Sequence, residues 1–217
     1  MKRSFTPPTI LHQRLASEAR DLPPGEDLSG SRGAVLVAAL HLFATNGYGG
    51  TSVRDIAKAA DLQPATLYAW FPSKQHVLAE LCRIGHEQHH RSLRGALLDC
   101  GNDPSDQLRA LVKAHVRLHT DYPMLAVIAN AELHALTEPF AARALELRRQ
   151  SEHLLVEVVQ RGIDRGRFRI ASAWLAVAAI GGMGVRVAHW FTAQSGVTPD
   201  SVAETYADFA MRIVDVA

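Results

Sequence analysis

Long uncharged hydrophobic runs are missing from this 217-residue chain, which excludes a membrane-spanning helix of about 20 consecutive apolar residues. The basic start, Met1-Lys2-Arg3, has no apolar stretch after it. It therefore predicts no secretory signal and a cytoplasmic location. Cysteine is scarce: Cys82 and Cys100 are the two in the chain, too few for a disulfide framework and best read as free thiols. Excess charge is lacking as well, with 23 basic against 22 acidic residues. Net charge thus announces no nucleic-acid partner, and any such surface has to be local. Neither a P-loop nor a G-x-G-x-x-G fingerprint occurs, and the serines fall in caps and loops. No nucleophile–base constellation can be assembled, so the sequence predicts no catalytic residue and no cofactor.

A hydrophobic fraction of 47% and a charged fraction of 21% are those of a globular chain with a real core. Residues 1–30 differ from the rest. Pro7, Pro8, Pro23, Pro24, Gly25 and Gly30 punctuate them, and four basic residues balance four acidic ones. They read as a flexible N-terminal arm with a short helix over residues 10–20. Such an arm could enter a DNA minor groove, although an untethered terminus is the simpler reading.

From Ser31 onward the periodicity is helical, with no strand-like alternation. Leu36, Leu40 and Phe43 share one face, and Asn46-Gly47 ends that helix. Thr51 or Ser52 caps a short second helix whose inner side is Val53, Ile56, Ala57 and Ala60. Asp61 sits at a tight turn that wants a positive φ. A third helix starts at Pro64, a residue suited to a first helical turn, and a long fourth runs from Ser73 to Leu98. Turn chemistry then divides the rest into helices over Ser105–Thr120, Pro123–Leu136, Pro139–Arg165, Ala171–Phe191 and Pro199–Val216. The expected fold is all-α. A small three-helix unit over 31–78 precedes a larger helical bundle over 79–217.

Two short helices joined by a tight turn and braced by a third form a helix-turn-helix, which lays its second helix in the major groove. The stretch from Thr51 to Lys74 fits. In residue types and spacing, residues 31–80 resemble the TetR family of transcriptional regulators. The resemblance is carried by Ala39-Leu40-His41-Leu42-Phe43, Gly47-Tyr48, Thr51-Ser52-Val53-Arg54-Asp55-Ile56-Ala57, Thr66-Leu67-Tyr68 and Phe71-Pro72-Ser73-Lys74. It implies a homodimeric, ligand-released repressor of a palindromic double-stranded DNA operator, with a helix-turn-helix DNA-binding domain over 31–78 and a ligand-binding and dimerisation domain over 79–217. It also implies roles. Gln63, Pro64, Ala65, Thr66, Tyr68 and Trp70 would face DNA, Gln63 bonding a base edge. Thr51, Tyr68 and Lys74 would hold phosphates, with Arg54 reaching a phosphate or a base. Core packing is the competing reading for Tyr68 and Trp70.

The C-terminal half is similar to a branch of that family associated with lipid and acyl-coenzyme A catabolism, through Ala129–Leu136, Gly162–Phe168, Gly182-Met183 and Trp190-Phe191. That resemblance implies a small hydrophobic or acyl-coenzyme A-type effector, with Arg148, Arg149 and Arg186 as candidates for its phosphates. The candidate ligand-binding set is His86, His90, His119, Asn130, Arg148, Met183, Arg186 and Trp190. Met183, Arg186 and Trp190 fall on one helical face, where a buried Arg186 would have to be paired. Ala178, Gly181, Gly182 and Val185 form a small-residue patch, and Val202, Tyr206, Phe209 and Ile213 a second apolar face. Together they are expected to build a two-fold dimer interface.

One motif points elsewhere. His86-Glu87-Gln88-His89-His90 spells H-E-x-x-H, in which two histidines one turn apart bind zinc and the glutamate acts as general base. Cys82, His86 and His89 also share a helical spacing. The alternative reading is thus a metal-dependent hydrolase or a metal-sensing regulator built on His86, Glu87 and His90. No convincing third ligand follows, and pocket-lining or solvated histidines are the simpler account.

Overall fold

The structure is a computed structural model that describes residues 21–24, 28–192 and 196–215, and the expected arm helix over residues 10–20 lies outside them. The described residues are helical almost throughout. α1 (Gly30–Asn46), α2 (Val53–Ala59) and α3 (Pro64–Trp70) form the N-terminal unit. α4 (Lys74–Leu98), α5 (Pro104–Asp121), α6 (Pro123–Ala131), α7 (Glu138–Asp164), α8 (Ala173–Val187) and α9 (Pro199–Ile213) form the bundle.

Local chemistry sets these boundaries. Leu36, Leu40 and Phe43 are buried along α1, which ends at Gly47 with φ 73°. Of the two capping candidates for α2, Ser52 does the work. Its Oγ accepts the Asp55 N–H at 3.2 Å, and the Asp55 carboxylate accepts the Ser52 N–H at 2.9 Å, a reciprocal capping box. Asp61 carries φ 54°, the left-handed turn expected between α2 and α3. Leu67 is fully buried and pins α3 to the unit, so its truncation to alanine would cost about 2–5 kcal/mol.

Three expectations change. The span Pro123–Leu136 is not one helix: α6 stops at Ala131 and a 3-10 turn covers Leu133–Ala135. At that break the Glu132 carboxylate reaches away and accepts the Tyr48 N–H at 3.2 Å. α8 ends at Val187, short of Phe191. Part of the expected arm is packed: Leu22 is buried in the first core, and Asp21 lies 2.6 Å from His41 Nε2.

Two cores result. The first joins α1–α3 to α6 and to the beginnings of α4 and α7, through Leu36, Leu40, Leu67, Leu78, Met124 and Ile128. The second joins α5, α8, α9 and the end of α7. Along the outside, Arg109, Lys113 and Arg117 of α5 pair with Asp208, Glu204 and Asp200 of α9. This ladder of i, i+4 pairs fixes register more than stability, since exposed pairs contribute about 0–1 kcal/mol each.

Candidate nucleic-acid interface and buried cavity

α3 presents its outer face to solvent. Gln63, Pro64, Ala65, Tyr68 and Trp70 are exposed and Thr66 is half-buried. Tyr68 is 50% and Trp70 54% exposed, which excludes core packing for both. Large aromatics in the open on a short helix leave their apolar surface for a partner. Arg54 in the first turn of α2 is exposed beside them.

Two of the expected phosphate contacts are corrected. Thr51 is 2% exposed, and its hydroxyl lies 3.0 Å from the Gly47 carbonyl and 3.2 Å from that of Leu42. Its side chain closes the α1–α2 turn and faces inward. Lys74 is half-buried, and its Nζ donates to the carbonyls of Tyr48 at 2.7 Å and Thr51 at 2.8 Å. The ammonium also stands 4.1 Å from the centre of the Tyr48 ring, a cation–π geometry. Lys74 therefore ties the start of α4 to the α1–α2 turn. Arg32 of α1 pairs with Glu80 of α4, a second tie between the same elements.

A cavity of about 530 Å³ opens inside the bundle, between α4, α5, α6, α7 and α8. Its walls are largely apolar, with Leu118, Leu125, Leu155, Val177 and Val185. Four histidines interrupt them: His86 and His89 from α4, His115 and His119 from α5. His86 Nε2 meets the Ala129 carbonyl at 3.2 Å. His89 Nε2 meets His115 Nδ1 at 2.8 Å, and His115 Nε2 meets the Gly181 carbonyl at 3.2 Å. His119 Nδ1 meets the His115 carbonyl at 2.8 Å. Burial holds all four below the usual histidine range, His86 at about 4 and His119 at about 3, so the rings are neutral at pH 7. Gly184 makes this arrangement possible. A Cβ there would stand 2.1 Å from His115 Cδ2.

Of the expected ligand-binding set, His86, His119, Asn130 and Arg148 line the cavity. His90, Met183, Arg186 and Trp190 do not. His90 is half-buried and lies 3.4 Å from the hydroxyl of Ser151 on α7, and Met183 packs into the second core. Arg186, expected to be buried and paired, is exposed, and Trp190 is 41% exposed. The cavity wall of α8 is the face of Trp174, Ala178, Gly181, Gly182 and Val185, which includes the small-residue patch; Ala178 and Gly182 on it are also exposed. Of the companion face on α9, Val202 is buried within the chain, while Tyr206 and Ile213 pack on the second core. His89 and His115 join the lining although the candidate ligand-binding set did not include them. The available signal was two histidine pairs at helical spacing on helices that face each other. Of the phosphate candidates, Arg148 is exposed on the cavity lining, whereas Arg149 is turned to Glu146 at 2.6 Å.

The H-E-x-x-H motif does not assemble a hydrolytic centre. Glu87 pairs with Arg83 and, at 3.3 Å, with Arg143. His86 faces the cavity while His90 faces Ser151. Burial pushes the Cys82 thiol up to about 12, so it stays protonated at neutral pH. Among the described residues no group of three histidine, cysteine, aspartate or glutamate side chains could hold a metal ion. No helix among them is long and apolar enough to cross a membrane.

Comparison with known proteins agrees with this architecture. Residues 35–81 match the family model "Bacterial regulatory proteins, tetR family", and residues 101–214 match "Tetracyclin repressor-like, C-terminal domain". The chain is 27% identical over 205 residues to the HTH-type transcriptional repressor KstR2 of Rhodococcus jostii (strain RHA1), covering 87% of this chain and 95% of that protein. The structure of the ketosteroid transcriptional regulator KstR2 of Mycobacterium tuberculosis superimposes with a TM-score of 0.79 at 25% identity, over 89% of this chain and 97% of that one. AibR in complex with isovaleryl coenzyme A and operator DNA shares the fold, with a TM-score of 0.76 at 21% identity over 87% of this chain and all of that one. A DNA-reading helix-turn-helix, a helical bundle around a cavity and family matches over most of its length together place the chain in the TetR family of ligand-responsive transcriptional repressors.

Proposed function

We propose that the protein acts in the cytoplasm as a homodimeric repressor that reads operator DNA with α2 and α3 and releases it when an effector fills the cavity. The observation that carries this reading is α4. One unbroken helix starts at Lys74, tied to the α1–α2 turn, and passes the cavity at His86 and His89. The distance from tie to wall is about 18–22 Å along the axis, at 1.5 Å per residue. A displacement of the wall is thus delivered to the helix-turn-helix as a rigid tilt.

In a dimer that tilt changes the separation of the two recognition helices. Successive major grooves lie about 34–36 Å apart, so a mis-spaced dimer keeps one half-site and loses the other. The effector acts only through a difference in affinity between the two spacings. On the DNA side, Arg54, Gln63, Pro64, Ala65, Thr66, Tyr68 and Trp70 form the reading face.

The effector is a small hydrophobic molecule or an acyl group carried on coenzyme A. Three features support this: the apolar walls, the exposed Arg148 on the lining, and the likeness to a ketosteroid regulator and to a protein that binds isovaleryl coenzyme A. The exposed apolar side chains Leu175 on α8, Trp190 just beyond its end and Phe209 on α9 supply a surface for the second copy.

The test is to incubate the purified protein with a sheared library of its own genome, at near-physiological salt and with excess competitor DNA, and to sequence what it retains. An enriched inverted repeat supports the reading. Retention without sequence preference, from protein freed of bound small molecules, overturns it.

A further inference from the structure

The histidine wall of the cavity is one-sided in its hydrogen bonding. A ring nitrogen that faces a carbonyl must carry the proton, because a carbonyl only accepts. His86 therefore gives its Nε2 proton to Ala129, and His119 gives its Nδ1 proton to the His115 carbonyl. His115 gives its Nε2 proton to Gly181, which leaves Nδ1 bare and obliges His89 to donate from Nε2. Ser151, also on the lining, gives its hydroxyl proton to the Leu147 carbonyl at 2.9 Å. What remains on this wall are lone pairs: His86 Nδ1, His89 Nδ1 and His119 Nε2, the Ser151 oxygen already having His90 Nδ1 at 3.4 Å. The donors still available in the lining belong to Tyr122, Asn130, Trp174 and Arg148.

His119 marks the place most sharply. Its side chain is 2% exposed, and its Nε2 is buried with no hydrogen-bond partner among the described residues. A buried acceptor left in that state is costly, and a ligand that satisfies it gains what the free protein lacks. We infer that the effector turns a hydroxyl or N–H donor toward the histidine wall, and that its buried part is otherwise apolar and uncharged. An apolar group without a donor leaves the lone pairs unmet. A carboxylate meets lone pair with lone pair, and the depressed basicity of these rings denies it a compensating proton.

This inference rests on reading the cavity as the effector site. Its test is made without DNA, so failure of the reading face and failure of the donor rule are seen separately. Three probes of one shape suffice: 4-pentylphenol, 4-pentylanisole and 4-pentylbenzoate, titrated by calorimetry at pH 7.5. The phenol is expected to bind about tenfold more tightly than the ether, as one hydrogen bond to a buried acceptor allows, and more tightly than the benzoate. In His119→Phe the preference for the phenol over the ether should vanish. Should that variant not fold, nitrogen-15 spectra of the unaltered protein give the same answer, because the His119 Nε2 resonance moves upfield when the phenol donates to it. Equal binding of phenol and ether, tighter binding of the benzoate, or no binding of the phenol up to its solubility each overturns the inference.

Discussion

Replacing Lys74 by methionine separates its two possible roles. The ammonium bonds two carbonyls at 2.7 and 2.8 Å and stands over the Tyr48 ring. A hydrogen bond from a charged group is worth about 1.5–3 kcal/mol, toward the low end where water reaches it. The half-buried setting and the ring contact put the loss at about 2–4 kcal/mol. For a chain of this size that is a fall in Tm of roughly 4–16 °C, read by thermal unfolding followed by circular dichroism. Operator affinity should fall with it, because the α1–α2 turn loses its tie to α4. The salt dependence of that affinity should stay nearly unchanged. A phosphate-binding lysine behaves in the opposite way. Its removal leaves stability alone and makes the slope of log K against log salt shallower by about 0.9. Unchanged Tm with a shallower slope would refute the tie.

Tyr68→Phe and Arg54→Ala should each weaken operator binding about five- to tenfold, the loss of roughly one hydrogen bond. Unfolding free energy should move by less than about 0.5 kcal/mol, as expected for exposed positions; gel retardation and urea titration check the pair. Gly184→Ala should destabilise by about 1–3 kcal/mol, because its methyl would stand 2.1 Å from His115 and push that ring off Gly181. Stability should fall as pH drops below about 6.5. The unfolded histidines take up protons there, while His86 and His119 in the fold stay neutral down to about 4 and about 3. Each ring that resists protonation contributes a slope of about 1.4 kcal/mol per pH unit across its window, measurable by urea titrations between pH 5 and 7.5. Arg186→Ala should leave stability within about 0.5 kcal/mol, since that side chain is exposed.

How far the sequence could be read depended on whether the information was local. Helix ends obeyed residues beside them: Asp61 at the turn, Gly47 after α1, proline in the first turns of α5, α6 and α7. The exposed face of α3 followed from the same short stretch. Lys74 did not, because its partners on the α1–α2 turn are 23 and 26 residues away in the chain; the inward turn of Thr51 to Gly47 and Leu42 is set by how α1 and α2 fold against each other. α8 is ambiguous for a different reason. A stripe of small residues makes room for a neighbour, and one helix does not say whether that neighbour is another subunit or a ligand. The stripe lines the cavity, while Arg186, on which a buried ion pair had been founded, is in water. The histidines were visible as helical pairs, but only the packing of α4 on α5 turned two pairs into one wall.

The central claim is that filling the cavity moves the reading helices, and Ser151→Phe tests it without an effector. Ser151 is buried on the cavity lining, on α7 and away from α1–α3, so a phenyl ring there occupies part of the space a ligand would take. With folding checked by circular dichroism, operator affinity should fall at least tenfold at an unchanged salt slope. A folded Ser151→Phe protein that holds the operator as tightly as the unaltered one would contradict the coupling of cavity to DNA through α4.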